Sequence, residues 1–120
     1  VTIVATGHLV WESLLAAEEL EKEGISCEVI NIHTIKPLDE EIILKSVEKT
    51  GKIVTAEEHN YLGGLGESVA GMLSRKRPTP QEFVAVNDTF GESGTPAELM
   101  HKYEIDAEAV VKAVKRVLAR

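Results

Sequence analysis

Glu57, Glu58 and His59 are adjacent residues of types that could exchange protons with a substrate. They directly follow the third strand that the sequence predicts. Because consecutive residues on an extended segment point to opposite sides, the two glutamates would not converge on one substrate. We therefore favour structural or interdomain hydrogen bonding for this group, with general acid–base catalysis as the alternative.

Three glycines, Gly63, Gly64 and Gly66, come next and precede a predicted helix. Their backbone N–H groups, together with the helix dipole, could hold a phosphate or a carboxylate. The spacing is not that of a nucleotide fingerprint, because the Lys and Ser/Thr of a P-loop are missing and the glycines follow the third predicted strand. We favour a tight loop that lets the helix approach the sheet, with an anion site as the alternative.

The first predicted strand ends at Thr6, Gly7 and His8. The His8 side chain could bind an anion, or it could simply cap a helix start. If the first and third strands are neighbours, both groups and the glycines share one rim beyond the carboxyl ends of the strands, where open parallel sheets bind ligands. The predicted rim consists of Thr6, Gly7, His8, Glu57, His59, Gly63, Gly64 and Gly66.

The sequence gives little support for a metal site, a cysteine nucleophile or a serine triad. The four histidines lie on separate predicted elements without the spacing of metal ligands. Cys27 is the only cysteine and falls inside a predicted strand, where it fits a small buried hydrophobe better than a nucleophile. Ser93 lacks the surroundings of a nucleophile elbow, although a triad with His59 and Glu57 can be written. The residues alone thus indicate no metal site and no visible catalytic machinery.

The composition is that of a globular domain, with 43% hydrophobic and 28% charged residues. A formal net charge of −7 argues against a nucleic-acid partner, because phosphate binding relies on cationic side chains. No apolar run approaches the roughly 20 residues that span a bilayer, so we expect no membrane partner. With one cysteine and no leader segment, the expected location is cytoplasmic.

Hydrophobic periodicity predicts alternating strands and helices. Strand–helix–strand repetition with short connections implies parallel strands with right-handed crossovers. The sequence therefore predicts one α/β domain over residues 1–120, in three layers, with helices on both faces of a mostly parallel twisted sheet of about five strands. The strands predicted individually cover residues 2–5, 27–32, 52–56 and about 83–86.

The predicted helices have recognisable ends. Gly24 can take the left-handed conformation that closes the first helix, and Asp39 can cap the helix that begins at Glu40. Residues 95–98 read as a capping box, and the last helix begins after Asp106. The predicted inner faces are Val10, Leu14, Ala17 and Leu20 in the first helix, and Val110, Val114, Val117 and Leu118 in the last.

Four runs of residues carry a resemblance to a known family: VATG (4–7), NIHTIKPLD (31–39), EEHNYLGGLGE (57–67) and DTFGESGTP (88–96). In the same order and with similar spacing, they resemble the C-terminal domain of transketolase, and the resemblance covers essentially the whole chain. The chain also begins on an apolar strand without Met. We therefore expect it to belong to a longer polypeptide, either a whole transketolase or one of two separately encoded parts.

The resemblance implies a place in a two-carbon ketol transferase of the pentose phosphate pathway. Such enzymes use thiamine diphosphate and Mg²⁺, which the resemblance assigns to other domains together with the activating glutamate. No catalytic or cofactor-binding position of the family maps onto this chain, so the chain alone is expected to be inactive. The expected partners are the N-terminal and middle transketolase domains or subunit, within a homodimer.

Related thiamine diphosphate enzymes have the same domain, namely 1-deoxyxylulose-5-phosphate synthase and the beta subunits of 2-oxoacid dehydrogenases. Runs 57–67 and 88–96 are more similar to transketolase than to either. Two functions remain open besides a scaffold for subunit contacts: a regulatory module that binds an anion or nucleotide at the rim, and a docking domain for a carrier subunit. A scaffold is expected to expose an apolar patch where its partner domains are missing.

Overall fold

Strands and helices alternate along the chain, as the periodicity predicts. A computed structural model describes residues 1–33, 37–60, 64–86 and 106–120, and for residues 58–60 and 86 it describes the backbone alone. Within these ranges the elements are β1 (Thr2–Ala5), α1 (His8–Lys22), β2 (Glu28–Asn31), α2 (Glu40–Thr50), β3 (Ile53–Asn60), α3 (Leu65–Lys76), β4 (Gln81–Val86) and α4 (Ala107–Leu118).

The strands form one parallel sheet in the order β2-β1-β3-β4. β1 lies in the interior of the sheet, with Thr2 beside Glu28 of β2 on one side and beside Ile53 of β3 on the other. The predicted α/β class and parallel pairing are confirmed. About five strands were expected, and the described residues contain four.

Two apolar layers cover the two faces of the sheet. Alternate residues of β1 point to opposite sides, so Ile3 lies in one layer and Val4 in the other. The first layer is filled by α1 and α4, and the second by α2 and α3. Helices on both faces of the sheet are therefore confirmed.

Several helix ends follow local rules that the sequence predicts. Asp106 accepts a hydrogen bond from the Ala109 N–H at 3.0 Å, and Asp39 accepts one from the Ile42 N–H at 3.5 Å. Gly24 has a φ of 80°, which a glycine adopts without steric cost, and it turns the chain from α1 towards β2. The capping box of residues 95–98 lies outside the described residues.

The inner face predicted for α1 is right in part, because Leu20 is buried and Val10 packs against the core, and it is wrong for Leu14. The buried residues of this helix are Leu9, Ser13, Ala16 and Leu20, whereas the Leu14 side chain is 48% exposed. Apolar side chains lie on nearly every side of α1, so periodicity does not select one face. Leu118, also predicted to be buried, is 43% exposed.

Strand β3 is longer than predicted. It continues past Ala56 to Asn60, and its pairing with β4 shifts register between these two residues. Polar residues do not signal a strand, but the backbone groups of β4 supply hydrogen-bond partners here. The acidic group at Glu57 therefore stands on a strand rather than after one.

Candidate functional site

The predicted rim lies where the strand order reverses. β1 and β3 are neighbours, as the rim requires, although their helices lie on opposite faces of the sheet. The Thr6 N–H donates to the Ala56 carbonyl at 3.2 Å, so the first loop begins directly beside the β3 backbone. This is the position at which open parallel sheets form ligand crevices.

Glu57 is buried at this rim, with 1% of its surface exposed. Its Oε1 accepts a hydrogen bond from the Leu65 N–H at 2.8 Å, and its Oε2 accepts one from the Gly66 N–H at 2.6 Å. These N–H groups belong to the first turn of α3 and have no partner within the helix. The carboxylate also lies at the positive end of the helix dipole. Glu57 therefore fastens β3 to α3, which is the structural hydrogen bonding favoured from the sequence.

The same hydrogen bonds bear on the predicted anion rim. A phosphate at the start of α3 would need the N–H groups that Glu57 already occupies. It would also approach the negative charge of that side chain. Binding at this point therefore requires Glu57 to move away, and the anion rim stays a prediction.

Gly66 lets α3 approach the sheet closely. A Cβ atom on this residue would lie 2.4 Å from Cδ2 of Phe83 and 2.9 Å from Oγ1 of Thr55. Both distances are far below ordinary van der Waals contact. The tight approach favoured from the sequence thus explains Gly66 without any ligand.

A buried amide reinforces the same contact. Gln81 donates from Nε2 to the Gly66 carbonyl at 3.0 Å and to Thr55 Oγ1 at 3.1 Å. The first turn of α3 is therefore held by a carboxylate on its N–H groups and by an amide on a carbonyl. Sequence reasoning missed Gln81, because a glutamine at a strand start has no distinctive signal.

In the loop between β1 and α1, the contacts described here belong to the start of the helix. Gly7 has a φ of 56° and makes the turn into α1, whose first bonds run from Leu9 N–H to the Thr6 carbonyl and from Val10 N–H to the Gly7 carbonyl, each at 3.1 Å. The exposed His8 imidazole lies 3.8 Å from the Glu12 carboxylate one turn along the helix. His8 thus lies at the start of α1, and both its capping role and its anion-binding role stay predictions.

Two residues of the predicted rim are not fully described. Gly63 lies outside the described residues, and so does the side chain of His59, whose backbone belongs to β3. The side chain of the neighbouring Glu58 is also outside them. Gly64 is buried at the N-cap of α3, with extended backbone. The structure thus joins Glu57 to the first turn of α3 and places Thr6 beside Ala56 of β3.

The described residues do not fit a thiamine diphosphate and Mg²⁺ site. They contain no group of three or more histidine, cysteine, aspartate or glutamate side chains that could hold a metal ion. The two donors at the start of α3 are taken by Glu57 and offer nothing to a diphosphate.

Cys27 is a packed side chain. It lies just before β2 rather than inside the strand as predicted, and its half-buried side chain contacts the core layer beneath α1. Burial raises the pKa of its thiol, although the nearby N-terminal amine acts in the opposite direction. A higher pKa means less thiolate at neutral pH, which agrees with the packing role predicted from the sequence.

An outward apolar surface on α1 was missed. Trp11, Leu14 and Leu15 are 59%, 48% and 36% exposed, on the side of the helix opposite its buried residues. The available signal was the number of apolar residues in α1, which exceeds what one buried face needs. An exposed apolar patch was nevertheless expected of a scaffold domain.

In the part of the chain described, no helix has the length and apolar character to cross a membrane.

The fold and the rim define an open parallel α/β domain in which the Glu57 carboxylate accepts hydrogen bonds from two N–H groups at the start of α3. The chain belongs to the transketolase C-terminal domain family, because residues 1–110 match the family model described as transketolase, C-terminal domain. The resemblance seen in the four sequence runs is thereby confirmed.

Close relatives are longer proteins. The chain is 48% identical, over its full length, to 6-deoxy-6-sulfo-D-fructose transketolase subunit SqwH of Clostridium sp. (strain MSTE9), of which it covers 37%. It is 40% identical over its full length to transketolase of Homo sapiens, of which it covers 19%. A solved split gene transketolase, an inactive beta4 tetramer, is 47% identical with a TM-score of 0.95; the match covers 98% of this chain and 39% of that one. The chain thus spans well under half of the relatives it matches.

Proposed function

We propose that this chain is the C-terminal domain of a transketolase and supports the domains that transfer a two-carbon ketol unit. The observation that carries the proposal is the match of residues 1–110 to the transketolase C-terminal domain. The described rim agrees with a supporting role, because its buried carboxylate is used to join β3 to α3. Thiamine diphosphate and Mg²⁺ would be held by the rest of the enzyme.

The proposal includes partners and a setting. The N-terminal and middle transketolase domains, in the same polypeptide or in a separate subunit, would complete the enzyme. We propose a homodimer of the complete enzyme, in the cytoplasm and in the pentose phosphate pathway. The beta4 tetramer of the split gene relative supports a subunit that associates with copies of itself.

The experiment compares the 120-residue chain with the complete protein that contains it. Both are supplied with thiamine diphosphate, Mg²⁺, xylulose 5-phosphate and an aldose phosphate acceptor, and transfer of the ketol unit is followed. We expect turnover by the complete protein and none by the chain alone. Turnover by the chain alone, or a complete protein that neither binds thiamine diphosphate nor transfers ketol units, would contradict the proposal.

A second donor sugar belongs in the same assay. The 48% identical relative is named for 6-deoxy-6-sulfo-D-fructose, a sulfonated ketose, whereas the 40% identical human relative is named transketolase without a donor. The ratio of kcat/KM for the two donors decides between a phosphorylated and a sulfonated substrate. This domain offers no described residue that would set the preference, so the test must use the complete enzyme.

The anion rim is the alternative function, and the hydrogen bonds of Glu57 argue against it at the start of α3. Phosphate titration of the 120-residue chain, followed by backbone NMR, should leave the amide shifts of Leu65 and Gly66 unchanged at millimolar phosphate. The physical reason is that both N–H groups already donate to a buried carboxylate. Saturable shifts at these two amides would show that Glu57 yields its place, and that the module is a ligand sensor.

A further inference from the structure

The side of α1 that faces away from the sheet is apolar along one stripe. Trp11, Leu14 and Leu15 are spaced three and four residues apart, so they lie together on the helix surface. We call these three residues the Trp11 stripe. Trp11 is the only tryptophan of the chain, and 59% of its surface is exposed. Scattered exposed leucines are common, whereas a tryptophan beside two leucines marks a contact surface.

The stripe continues into a groove between α1 and the segment before β2. Leu14 belongs to both surfaces, and the groove has a volume of about 290 Å³. Its other lining residues are Ala17, Glu18, Glu21, Ser26 and Cys27. Stripe and groove therefore form one surface with an apolar centre and an acidic border.

We propose that this surface docks the thiamine diphosphate-binding part of the same transketolase, an inference that rests on the function proposed above. The position of Val1 supports this occupant. The nitrogen of Val1 donates to the Ser26 carbonyl at 2.9 Å, and Ser26 lines the groove. Because the matched family is a C-terminal domain, the rest of a transketolase would precede residue 1 and would reach this domain beside the groove.

The length of the relatives supports the same occupant. The matched subunit SqwH and the split gene transketolase have more than half of their residues outside the match, which covers 37% and 39% of them. A domain that carries so much additional chain needs a packed contact to be held in one orientation. Trp is one of the residue types that supply most of the energy of such a contact.

Charge argues against a second copy of this chain on the surface. Glu18 and Glu21 are exposed and line the groove, and the whole chain carries a net charge of −7. Two copies meeting through α1 would bring these acidic borders together, and like charges across an interface are unfavourable. The occupant is therefore a surface with apolar side chains at its centre and basic side chains at its rim.

The first test compares solvent access in the complete transketolase and in the 120-residue chain. Hydroxyl-radical oxidation of the Trp11 side chain is measured in both by peptide mass spectrometry. Oxidation should be slow in the complete protein and fast in the chain, because docking removes the indole from water. Equal rates in an active complete enzyme would overturn the inference and leave the proposed function intact.

The second test uses matched variants of the complete enzyme. Trp11→Ala should raise the rate of proteolysis at the junction before Val1 by roughly 25-fold, which is what loss of a contact hot spot does to an opening equilibrium. Ile42→Ala is the control, because Ile42 is 45% exposed on α2, on the opposite face of the sheet. Equal proteolysis of the two variants would contradict the docking surface.

Further results would assign the surface to a different occupant. Protection of Trp11 in the 120-residue chain that increases with protein concentration would identify a second copy. Protection that does not depend on concentration would show that the chain covers the surface itself. Either result overturns the proposal. A complete protein without ketol transfer and without thiamine diphosphate binding would instead remove the proposed function.

Discussion

Replacing Glu57 by alanine should lower the free energy of unfolding by about 3 to 5 kcal/mol. The substitution removes the acceptor of two backbone N–H groups at the start of α3, and each buried donor left without a partner costs about 1 to 3 kcal/mol. At roughly 4 °C for each kcal/mol, the melting temperature should fall by about 12 to 20 °C. Urea unfolding of the 120-residue chain, followed by circular dichroism, measures the difference.

Two further variants separate hydrogen bonding from charge and from general effects of substitution. Glu57→Gln keeps the shape and one carbonyl oxygen, so it should lose less, about 1 to 3 kcal/mol. Glu48→Ala removes an exposed carboxylate from α2 and should change stability by at most about 0.5 kcal/mol. If Glu57→Ala is as stable as Glu48→Ala, the carboxylate does not hold the start of α3.

Substitution of Gly66 by alanine should destabilise the chain by about 1 to 3 kcal/mol, the usual range for overpacking. The new Cβ would lie 2.4 Å from the Phe83 ring and 2.9 Å from Thr55 Oγ1, so the Phe83 ring, α3 or the sheet must shift. Gly71→Ala is a control within the same helix, because its Cβ meets only Arg75 Nη1, at 3.5 Å. We expect Gly71→Ala to stabilise the chain by about 0.5 to 1 kcal/mol through the helix preference of alanine.

A double substitution identifies the clash as the cause. With Phe83→Ala in place, the ring is absent and Gly66→Ala should cost less, which gives a coupling energy of about 0.5 to 3 kcal/mol. Rescue should be partial, because Thr55 Oγ1 remains close to the new methyl group. If the two substitutions have additive effects on the free energy of unfolding, contact with the Phe83 ring is not the cause of the destabilisation. Urea unfolding of the four proteins provides the cycle.

Local patterns predicted the elements that carry their own signals. β1 is a short run of β-branched and apolar residues, and the structure has it at Thr2–Ala5 as predicted. Asp39 and Asp106 cap α2 and α4, because an N-cap side chain acts on the N–H groups of the next residues. The fold class followed from the order of these elements and from the handedness of their connections.

Features that depend on distant partners could not be predicted in this way. The buried face of α1 is selected by contact with the sheet and α4, and its own apolar residues fit several faces. The length of β3 depends on backbone partners in β4, which its polar end does not reveal. The partners of Glu57 lie eight and nine residues further along the chain, across the turn from β3 to α3. Hydrogen bonds between residues this far apart depend on how β3 and α3 pack together. No local sequence pattern predicts them.

The interior position of β1 has a consequence for synthesis on the ribosome. Of the four described strands of this domain β1 is the first to emerge, yet one of its two neighbours is β3, whose first residue Ile53 pairs with Thr2. The nascent chain therefore holds an apolar strand with one open edge until some fifty further residues have been made, and such edges invite pairing with other chains. Glu57 is synthesised with the end of β3, before the α3 backbone that it binds. The hydrogen bonds between Glu57 and α3 therefore form after β1 has paired with β3.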